Sequence, residues 1–561
     1  MTNPPPNMTD YDREWRECRL DVPERFNFAL DVVDRWARDD PGKLAMVWVG
    51  RDGEERRLTF GDFRAASNRF ANVLRALGVK KGDGVLVVLP RLPEWHVILL
   101  GLIKLGAIPM PGTTLLTPKD IRYRVQSADV RMVITDPENA EKVESARARC
   151  PTVERLLLVG GAREGWESFE AAMKRAPAEI ALDTTRSDDP LLVYFTSGTT
   201  AGPKMVLHTQ ASYGLAHQLT GKYWLDLRPS DLHWNLSDTG WAKAAYSNLF
   251  GPWHMGAALL IVDDRGKFDP KRCLALLEKY EVTTFCAPPT AYRMLVLENL
   301  RQFRFTRLRH CVGAGEPLNP EVIEAWKAGT GLTIYDGYGQ TETVLLVGNF
   351  RCLPVKPGSM GKPMPGFEVA VIDDEGREAP PNTEGDIAVR VRPTRPVGLF
   401  REYWRNADAT AGCFRGDWYV TGDRAARDAD GYLWFVGRAD DVIISAGYRI
   451  GPFEVESALV EHPAVAEAAV VASPDEMRGS VVKAFVVLAP GHEPSTRLTE
   501  DLQEHVKRVT APYKYPRDIE FVSELPKTIS GKIRRVDLRR REEDRKRGSA
   551  GRQGQIGRAH V

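Results

Sequence analysis

The sequence lacks most features that would place a chain in a membrane or outside the cell. Its seven cysteines are scattered without a CxxC pair, which excludes a disulfide framework and a paired-cysteine zinc site. The longest apolar stretch, WHVILLGLIKLGAIPM, is interrupted by Lys104 and falls short of the ~20 residues that a membrane helix needs. The N-terminus has no basic start followed by an apolar run, so we expect no secretory signal and a cytoplasmic location.

An excess of charge of one sign is also missing. The 77 Lys and Arg residues nearly balance the 76 Asp and Glu residues, which argues against a protein that mainly coats nucleic acid or an anionic membrane. Hydrophobic residues make up 43% and charged residues 27%, the ordinary mixture of folded chains, so bulk disorder is excluded. We therefore expect small-molecule partners, with no nucleic acid and no membrane span.

The sequence does have length and a repeating strand–helix pattern. Its 561 residues exceed one hydrophobic core and predict several domains. In LTFGDFRAASNRFANVLRALGVKKGDGVLVVLP, apolar residues recur at helical spacing, Thr59 and Asp62 predict a capping box, and Gly78 predicts a C-cap before the strand GVLVVLP. The alternation continues to about residue 350 and predicts an α/β fold, with helices packed on stacked parallel sheets.

The pattern changes after about residue 358. Short runs such as FEVAVI, GDIAVRV and GYLWFVG predict a β-rich subdomain, about 358–437, within a large N-terminal domain of residues 1–437. Residues 438–540 predict a small, mobile α+β C-terminal domain. The charge-dense stretch RRVDLRRREEDRKRG is interrupted by acidic residues, so it predicts a solvated helix end and a disordered tail, 541–561, rather than a nucleic-acid arm.

The strongest local signal for chemistry is LLVYFTSGTTAGPK, residues 191–204. An apolar strand leads into a segment with four hydroxyls, two glycines and one lysine, and all of these groups can approach phosphate oxygens. It is not a Walker loop, because Gly198 and Gly202 are too close together and Pro203 precedes Lys204. Composition alone leaves a phosphate loop and an ordinary Ser/Thr-rich turn equally open.

Four further motifs follow in a fixed order. They are GAGEPLNP at 313–320, YDGYGQTET at 335–343, YVTGDRAARDADGYLWFVGRADDVIISAGYRIGPFEVE at 419–456 and PKTISGKIRR at 526–535. With TSGTTAGPK they resemble, over about residues 40–540, the adenylate-forming superfamily of acyl-CoA synthetases, luciferases and peptide-synthetase adenylation domains. SDTGWAKAAYSNLFGPW and SAGYRIGPFEVE most resemble the medium-chain acyl-CoA synthetase branch. Ala201 departs from the superfamily, which usually has Gly or Ser there.

The resemblance implies an ATP-dependent carboxylic acid:CoA ligase that forms AMP, acts on medium-chain fatty or aryl acids, and uses Mg²⁺ and coenzyme A. A carboxylate attacks the α-phosphate of ATP, pyrophosphate leaves, and the thiol of CoA then displaces AMP from the acyl-adenylate. Because the first step brings an anion toward a polyanion, we expect catalysis by charge neutralisation and alignment. The alternatives are a stand-alone adenylation protein that acylates a carrier protein, a luciferase-like oxygenase, and a non-enzymatic binding protein.

The resemblance also assigns three catalytic or mechanical roles. Lys532 would stabilise the charge that builds during attack on the α-phosphate. Glu342 would be the magnesium carboxylate, since one Glu with phosphate oxygens and waters suits this ion. Asp440 would be the hinge about which the small domain rotates, presenting first the lysine loop and then a glycine-bearing loop.

The remaining assignments concern ligand binding. Besides Lys532, the implied ATP-binding residues are Thr196, Ser197, Gly198, Thr199, Thr200, Ala201, Gly202, Pro203, Lys204, Gly315, Glu316, Pro317, Asp336, Gly337, Tyr338, Gly339, Gln340, Thr341, Asp423 and Arg438. The implied CoA-binding residues are Ala446, Gly447, Tyr448, Arg449 and Arg478, the last of which fits an ordinary surface turn equally well. The implied acyl pocket contains Trp241, Lys243 and Tyr246. Lys243 either points outward to solvent or enters the pocket floor.

A homodimer, and a lysine acetyltransferase acting on Lys532, are further expected partners.

Overall fold

The computed structural model describes residues 4–196, 203–445, 448–475, 478–527 and 532–556, with side chains as far as Lys546. By their internal contacts these residues form two compact units. The first contains the chain up to Pro357 together with Gly361–Glu368 and Arg390–Phe414. The second contains Gly358–Met360, Val369–Val389 and the chain from Arg415 onward. The domain bound predicted at residue 437 stays a prediction.

The first unit is built on a nine-stranded sheet. Its strands, from one edge to the other, are Lys362–Pro363, Leu345–Gly348, Ile334–Gly339, His310–Ala314, Thr284–Ala287, Leu232–Asn235, Ala258–Val262, Leu44–Val49 and Glu55–Thr59. The strands from Ile334–Gly339 to Leu44–Val49 run parallel, and antiparallel strands close both edges. Three of the six parallel strands, Ala258–Val262, Thr284–Ala287 and His310–Ala314, are buried along their whole length, as is expected of strands covered by helices on both faces.

Two further sheets complete the first unit. A parallel five-stranded sheet has the order Ile108–Gly112, Gly84–Val88, Met132–Thr135, Arg155–Leu158 and Glu167–Ser168. An antiparallel three-stranded sheet has the order Glu402–Tyr403, Lys204–Thr209 and Pro190–Thr196. The predicted α/β class with stacked sheets is therefore confirmed.

Helices surround these sheets. The α-helices of the first unit are Tyr11–Glu17, Asp34–Asp39, Phe60–Ala76, Pro93–Leu105, Pro118–Ala128, Pro137–Arg147, Phe169–Arg175, His217–Leu219, Ala242–Ala245, Gly251–His254, Pro270–Lys279, Pro289–Leu295, Pro320–Thr330 and Ala407–Ala411. Ala29–Val33, Gln210–Leu215, Thr220–Trp224 and Tyr246–Phe250 are π-helical, and Leu300–Gln302 is a 3₁₀ turn. The capping box predicted from Thr59 and Asp62 is confirmed, because both reciprocal hydrogen bonds form at the start of Phe60–Ala76.

The second unit contains most of the predicted β-rich segment, apart from Gly361–Glu368 and Arg390–Phe414, and the predicted α+β segment. A five-stranded sheet is formed by Val369–Ile372, Glu384–Arg390, Trp418–Arg427, Phe414–Arg415 and Leu433–Arg438. Further along the chain are a ribbon of Ile443–Ser445 with Tyr448–Ile450 and a sheet of Val465–Asp475, Gly479–Leu488 and Asp518–Phe521. The helices are Pro452–Val460, Thr496–Val509, the 3₁₀ turn Pro512–Lys514, and Arg535–Ile556.

The helix Arg535–Ile556 corrects the predicted disordered tail over residues 541–556. Glu542 is buried and accepts a hydrogen bond from Ser473, at 2.7 Å. The ammonium of Lys483, whose side chain is also buried, lies 3.0 Å from the carboxylate of Glu542 and 2.8 Å from that of Glu520. The charge-dense sequence thus supplies partners for buried opposite charges, which composition could not show. Residues 557–561 of the predicted tail lie outside the described residues.

Two absences predicted from the sequence can be compared with the structure. None of the seven cysteines forms a disulfide, and Cys150, Cys273, Cys286 and Cys311 are buried. Within the described ranges, every helix is too short or too polar to span a bilayer.

Lys104, which interrupts the longest apolar stretch of the sequence, is fully buried in the first unit. Its ammonium donates to Asp34 Oδ1 at 2.8 Å and to Asn68 Oδ1 at 2.7 Å. The three residues come from three packed helices, Asp34–Asp39, Phe60–Ala76 and Pro93–Leu105. A buried ion pair has lost the hydration of both charges, so removing one partner leaves the other uncompensated.

We predict that Lys104→Ala destabilises the first unit by about 3–5 kcal/mol, because the Asp34 carboxylate remains buried without its cation. The measurement is the urea concentration at which the first unit unfolds. Lys279→Ala is the matched control, because Lys279 forms an exposed pair with Glu55 at 2.8 Å and its loss should leave the transition in place. A Lys104→Ala transition that coincides with wild type would contradict a structural role for the buried pair.

Candidate active site

The two ends of the predicted phosphate loop are held together as a hairpin. Thr196 ends one strand and pairs across the ladder with Lys204, which begins the next. The hydroxyl of Tyr123 donates to the carbonyl of Pro203 at 2.9 Å and fixes the end of the loop. The six predicted residues between these ends, Ser197, Gly198, Thr199, Thr200, Ala201 and Gly202, lie outside the described residues.

Lys204 belongs to a cluster that also contains the predicted magnesium carboxylate. The Lys204 ammonium lies over the ring of Tyr403, 4.6 Å from its centroid. The Tyr403 hydroxyl donates to Glu342 Oε1 at 2.7 Å. Burial and the neighbouring negative charge of Glu342 raise the pKa of Tyr403, so the phenol stays protonated and remains the donor. Sequence reasoning missed Tyr403, since its contact with Glu342 spans 61 residues.

The donors around Glu342 fit a magnesium ion that arrives with a nucleotide. Glu342 is half-buried and lies in one cluster with the lysine that ends the predicted phosphate loop. In the described part of the chain, no group of three or more His, Cys, Asp or Glu side chains could hold a metal ion by itself. Mg²⁺ in nucleotide sites takes one or two carboxylates and completes its shell with phosphate oxygens and waters. The cluster therefore suits Mg²⁺ bound together with ATP.

The segment Asp336–Thr341 leaves the sheet at the carboxyl end of strand Ile334–Gly339. Asp336 is buried, and burial raises its pKa to about 8, so the side chain is mainly protonated at neutral pH. Gly337 packs against Trp224, and a Cβ at this position would lie 2.6 Å from the indole ring. Tyr338 is half-buried, which leaves part of its ring available for stacking.

The neighbouring turn is fixed from several directions. The backbone amide of Gln340, which follows the exposed Gly339, donates to Thr343 Oγ1 at 3.0 Å. The carbonyl of Thr341 lies 2.7 Å from Nε2 of the buried His208. Burial lowers the pKa of His208 to about 4, so its imidazole is neutral and donates to this carbonyl.

Gly315, Glu316 and Pro317 follow the adjacent parallel strand, His310–Ala314. Gly315 has a φ of +106°, a backbone conformation that a residue with a side chain rarely adopts. The Arg293 guanidinium lies 3.2 Å from the Glu316 carboxylate. Both predicted nucleotide walls thus begin at the carboxyl ends of neighbouring parallel strands, where open α/β sheets bind ligands.

The predicted acyl segment leaves the same sheet edge after strand Leu232–Asn235. The Lys243 ammonium donates to the carbonyl of Ala314 at 2.6 Å, so it is directed at the backbone before Gly315 and not at bulk solvent. Trp241 is half-buried at the start of helix Ala242–Ala245. Tyr246 stacks on the buried His217, with ring centroids 5.5 Å apart. The structure therefore brings the predicted acyl segment to one of the predicted nucleotide walls.

In the second unit, the predicted ribose contacts are cross-strand neighbours. Asp423 lies on strand Trp418–Arg427 and pairs in register with Arg438 on strand Leu433–Arg438. Asp423 is buried, whereas Arg438 is exposed and its Nε lies 3.4 Å from the carboxylate of the predicted hinge residue Asp440. Opposed residues in an antiparallel pair lie about 5 Å apart, so the two side chains can contact one small group together.

Lys532 is exposed and lies just before the helix Arg535–Ile556. Its neighbour Ile533 forms an isolated antiparallel bridge with Lys527. Arg535 donates two hydrogen bonds to Glu456, at 2.6 and 3.0 Å. The backbone on the C-terminal side of Lys532 is thereby held at both Ile533 and Arg535.

The predicted CoA face is only partly described. Ala446 and Gly447 lie outside the described residues. Tyr448 and Arg449 are exposed on strand Tyr448–Ile450, and the Tyr448 ring stacks on Tyr513 with centroids 4.3 Å apart. Arg478 is exposed near the turn between two strands, and its backbone amide donates to Asp475 at 2.9 Å. Its side chain is thus accessible, as both the CoA role and the plain surface turn require.

Comparisons with known proteins agree with these motifs. The profile of the AMP-binding enzyme family matches residues 33–404, and that of the AMP-binding enzyme C-terminal domain matches residues 454–532. The chain therefore belongs to the AMP-binding enzyme family. Among its relatives, mouse acyl-coenzyme A synthetase ACSM3, mitochondrial, is 48% identical over 550 residues, 96% of this chain and 95% of the mouse protein. Human acyl-coenzyme A synthetase ACSM5, mitochondrial, is 50% identical over 531 residues, 93% and 91% of the two chains.

Solved structures give the same class. The anthranilate CoA ligase AuaEII, in complex with anthranoyl-AMP, superposes with a TM-score of 0.86 at 34% identity and covers 93% of this chain and 98% of its own. A benzoate CoA ligase from Burkholderia xenovorans LB400 superposes with a TM-score of 0.81 at 31% identity, covering 92% and 100%. The chain is thus an AMP-forming acyl-CoA ligase that uses ATP with Mg²⁺ and CoA, as predicted.

We predict that Glu456→Gln slows acyl-adenylate formation by about 10- to 100-fold, because Arg535 anchors the segment of Lys532, the predicted catalytic residue, through Glu456, and a misplaced catalytic group costs rate steeply. Conversion of supplied acyl-adenylate to acyl-CoA should be largely spared. Pyrophosphate release and single-turnover thioester formation measure the two steps. Glu454→Gln on the same helix is the control, since Glu454 pairs with Lys514 instead. Equal loss of both steps in Glu456→Gln would show a general loss of structure.

Proposed function

We propose that this acyl-CoA ligase activates medium-chain fatty or aryl acids. The observation that carries this proposal is the aromatic surface of the segment 241–250 at the carboxyl edge of the nine-stranded sheet. Tyr246 is backed by His217, and burial holds the pKa of His217 well below its ordinary value. The imidazole ring behind Tyr246 is therefore uncharged, which favours an apolar chain or an aryl ring beside Tyr246. The anthranilate and benzoate ligases among the solved structures act on aryl acids and support the proposal.

The chemistry divides into two balanced steps. A carboxylate oxygen of the acid bonds to the α-phosphorus of ATP, and the bond from that phosphorus to the bridging oxygen breaks to release pyrophosphate. The sulfur of CoA then bonds to the acyl carbon, AMP leaves with the bonding electrons, and the thiol proton passes to solvent. In this proposal Lys204 and Lys532 place positive charge at the phosphates, while Asp423 and Arg438 contact the ribose. Mg²⁺, when bound by Glu342, would neutralise phosphate charge.

The alternative is a stand-alone adenylation protein that passes its acyl group to a carrier protein. Both activities release pyrophosphate with the right acid, but only the ligase turns over repeatedly when CoA is the sole acceptor. Pyrophosphate release with a series of straight-chain and aryl acids, with and without CoA, separates them. A burst without CoA and no acceleration by CoA would support the alternative.

We predict that Lys532→Ala slows adenylation about 100-fold or more, the effect of losing one preorganised electrostatic donor. It should spare thioester formation from supplied acyl-adenylate. Gly447→Leu should have the opposite effect, because its side chain would fill the implied pantetheine tunnel. The rates of the two half-reactions are the measurement. If either variant slowed both half-reactions equally, this would refute the assignment of the lysine loop to adenylation and of the glycine-bearing loop to thioester formation.

We predict that Trp241→Ala changes the relative kcat/KM values across a series of acids, because it removes the largest apolar surface of the acyl segment. Lys243→Leu should shift the preference toward longer, wholly apolar acids by ~1–3 kcal/mol, the range open to small changes in an apolar pocket. The measurement is kcat/KM for acids from short to medium chain length. A flat profile for Lys243→Leu would place this side chain outside the pocket.

Location and partners complete the proposal. We keep the cytoplasm as the proposed location, although the mammalian relatives are mitochondrial. A homodimer and a lysine acetyltransferase acting on Lys532 also stay predictions. Exposure of Lys532 supports the second, because a modifying enzyme must reach the ammonium, and acetylation would remove its charge.

A further inference from the structure

Tyr403 is held against the strand that leaves the predicted phosphate loop. Its short strand, Glu402–Tyr403, pairs antiparallel with Lys204–Thr209, with Tyr403 opposite Val206. The backbone amide of Trp404 donates to the carbonyl of Met205 at 2.8 Å, which continues the pairing by one residue. The backbone of Tyr403 is therefore fixed relative to Lys204, even though about 200 residues of chain separate them.

The same short segment also holds Glu342. The backbone amide of Phe400 donates to the carbonyl of Glu342 at 2.7 Å, and the Tyr403 hydroxyl donates to the Glu342 carboxylate at 2.7 Å. Tyr403 is 6% exposed, so its ring is confined by packing and its hydroxyl has little freedom to turn away. Both the backbone and the side chain of Glu342 thus take their position from residues 400–403.

Tyr403 contacts two groups of opposite charge through two different parts of its side chain. Its hydroxyl binds the Glu342 carboxylate, and its ring face lies against the Lys204 ammonium at 4.6 Å from the centroid. A hydrogen bond to one carboxylate oxygen stops the group from rotating, so the direction of its other oxygen is set. A ring face attracts a cation without neutralising it, so the lysine keeps its charge for an anionic ligand.

We propose that Tyr403 is a positioning residue for nucleotide binding, which orients Glu342 toward the metal ion and Lys204 toward the phosphates of ATP. The inference rests on the proposed role of Glu342 as the magnesium carboxylate. It assigns no contact between Tyr403 and the reacting atoms. The tyrosine acts through its two neighbours and should affect the metal and the nucleotide but not the acid or CoA.

The chain contains a matched control for this arrangement. Tyr223 donates its hydroxyl to Glu14 at 2.8 Å, and the Lys222 ammonium lies 4.6 Å from the Tyr223 ring centroid. The same three residue types thus form a similar hydrogen bond and ring contact among residues outside the predicted site, and Lys222 there also donates to the Tyr223 hydroxyl at 3.2 Å. Tyr223→Phe removes an equivalent hydrogen bond from the same unit, so it reports the general cost of losing such a hydroxyl.

The test uses the full-length protein and Mn²⁺ as the probe, bound in the presence of a non-hydrolysable ATP analogue and followed by electron paramagnetic resonance. Tyr403→Phe should weaken Mn²⁺ binding about 10-fold or more, the usual effect of losing a partner that orients a metal ligand. It should raise the KM for ATP while leaving the KM values for the acid and CoA unchanged. Tyr403→Leu, which also removes the ring, should raise the KM for ATP further. Tyr223→Phe should match wild type in each measurement.

A double-mutant cycle completes the test. In the Glu342→Gln background, Tyr403→Phe should have no further effect on Mn²⁺ binding, because the oriented carboxylate is already gone. The proposal would be overturned if Tyr403→Phe bound Mn²⁺ as tightly as wild type, or if Tyr223→Phe weakened Mn²⁺ binding as much as Tyr403→Phe does. It would also be overturned if Tyr403→Phe weakened Mn²⁺ binding as much in the Glu342→Gln background as in wild type. Since Mn²⁺ binding needs no turnover, an error in the proposed acid would leave this result unchanged. A wild-type protein that binds no Mn²⁺ with the analogue would instead refute the metal role of Glu342.

Discussion

Repulsion between a carboxylate and a triphosphate is the constraint on which this structure depends. Positive groups must meet the two anions at set positions, yet a lysine ammonium ends a flexible chain of four carbons. In the first unit, Lys204 is held over the Tyr403 ring and Lys243 is bonded to the carbonyl of Ala314. In the second unit, the backbone beside Lys532 is held at Ile533 and Arg535. Each cation is thus supported by a contact that leaves its charge intact.

Neutral surroundings strengthen the effect of these few cations. Burial raises the pKa of Asp336 to about 8 and lowers the pKa of His208 to about 4, so both side chains are mainly uncharged at neutral pH. They lie beside segments that the superfamily uses to enclose a nucleotide, and there they act as hydrogen-bonding groups. An interaction between charges is stronger where few other charges and little water compete. The protonated Asp336 therefore gives this site a polar contact without adding another anion to the carboxylate of Glu342.

Local features of the sequence predicted the fold more fully than they predicted the site. The capping box of Thr59 and Asp62 and the strand Gly84–Val88 follow from adjacent residues, so pattern alone could locate them. The catalytic motifs are local as well, which is why the superfamily could be identified from them. The contact of Tyr403 with Glu342 spans 61 residues, and that of Lys243 with Ala314 spans 71. Such contacts depend on which strands become neighbours in a sheet, and no short segment encodes that register.

The terminal helix contacts the predicted hinge residue, Asp440, and follows the segment that carries Lys532. Arg539 on this helix donates to the carbonyl of Asp440 at 3.1 Å and also binds the carboxylate of Asp441. On the N-terminal side of Asp440, Arg438 forms an exposed pair with the Asp440 carboxylate at 3.4 Å, and exposed pairs contribute little. A rotation at Asp440 would therefore break the weaker contact first. Asp441, Glu456 and the segment that carries Lys532 would then move together, because Arg535 and Arg539 bind them through one helix.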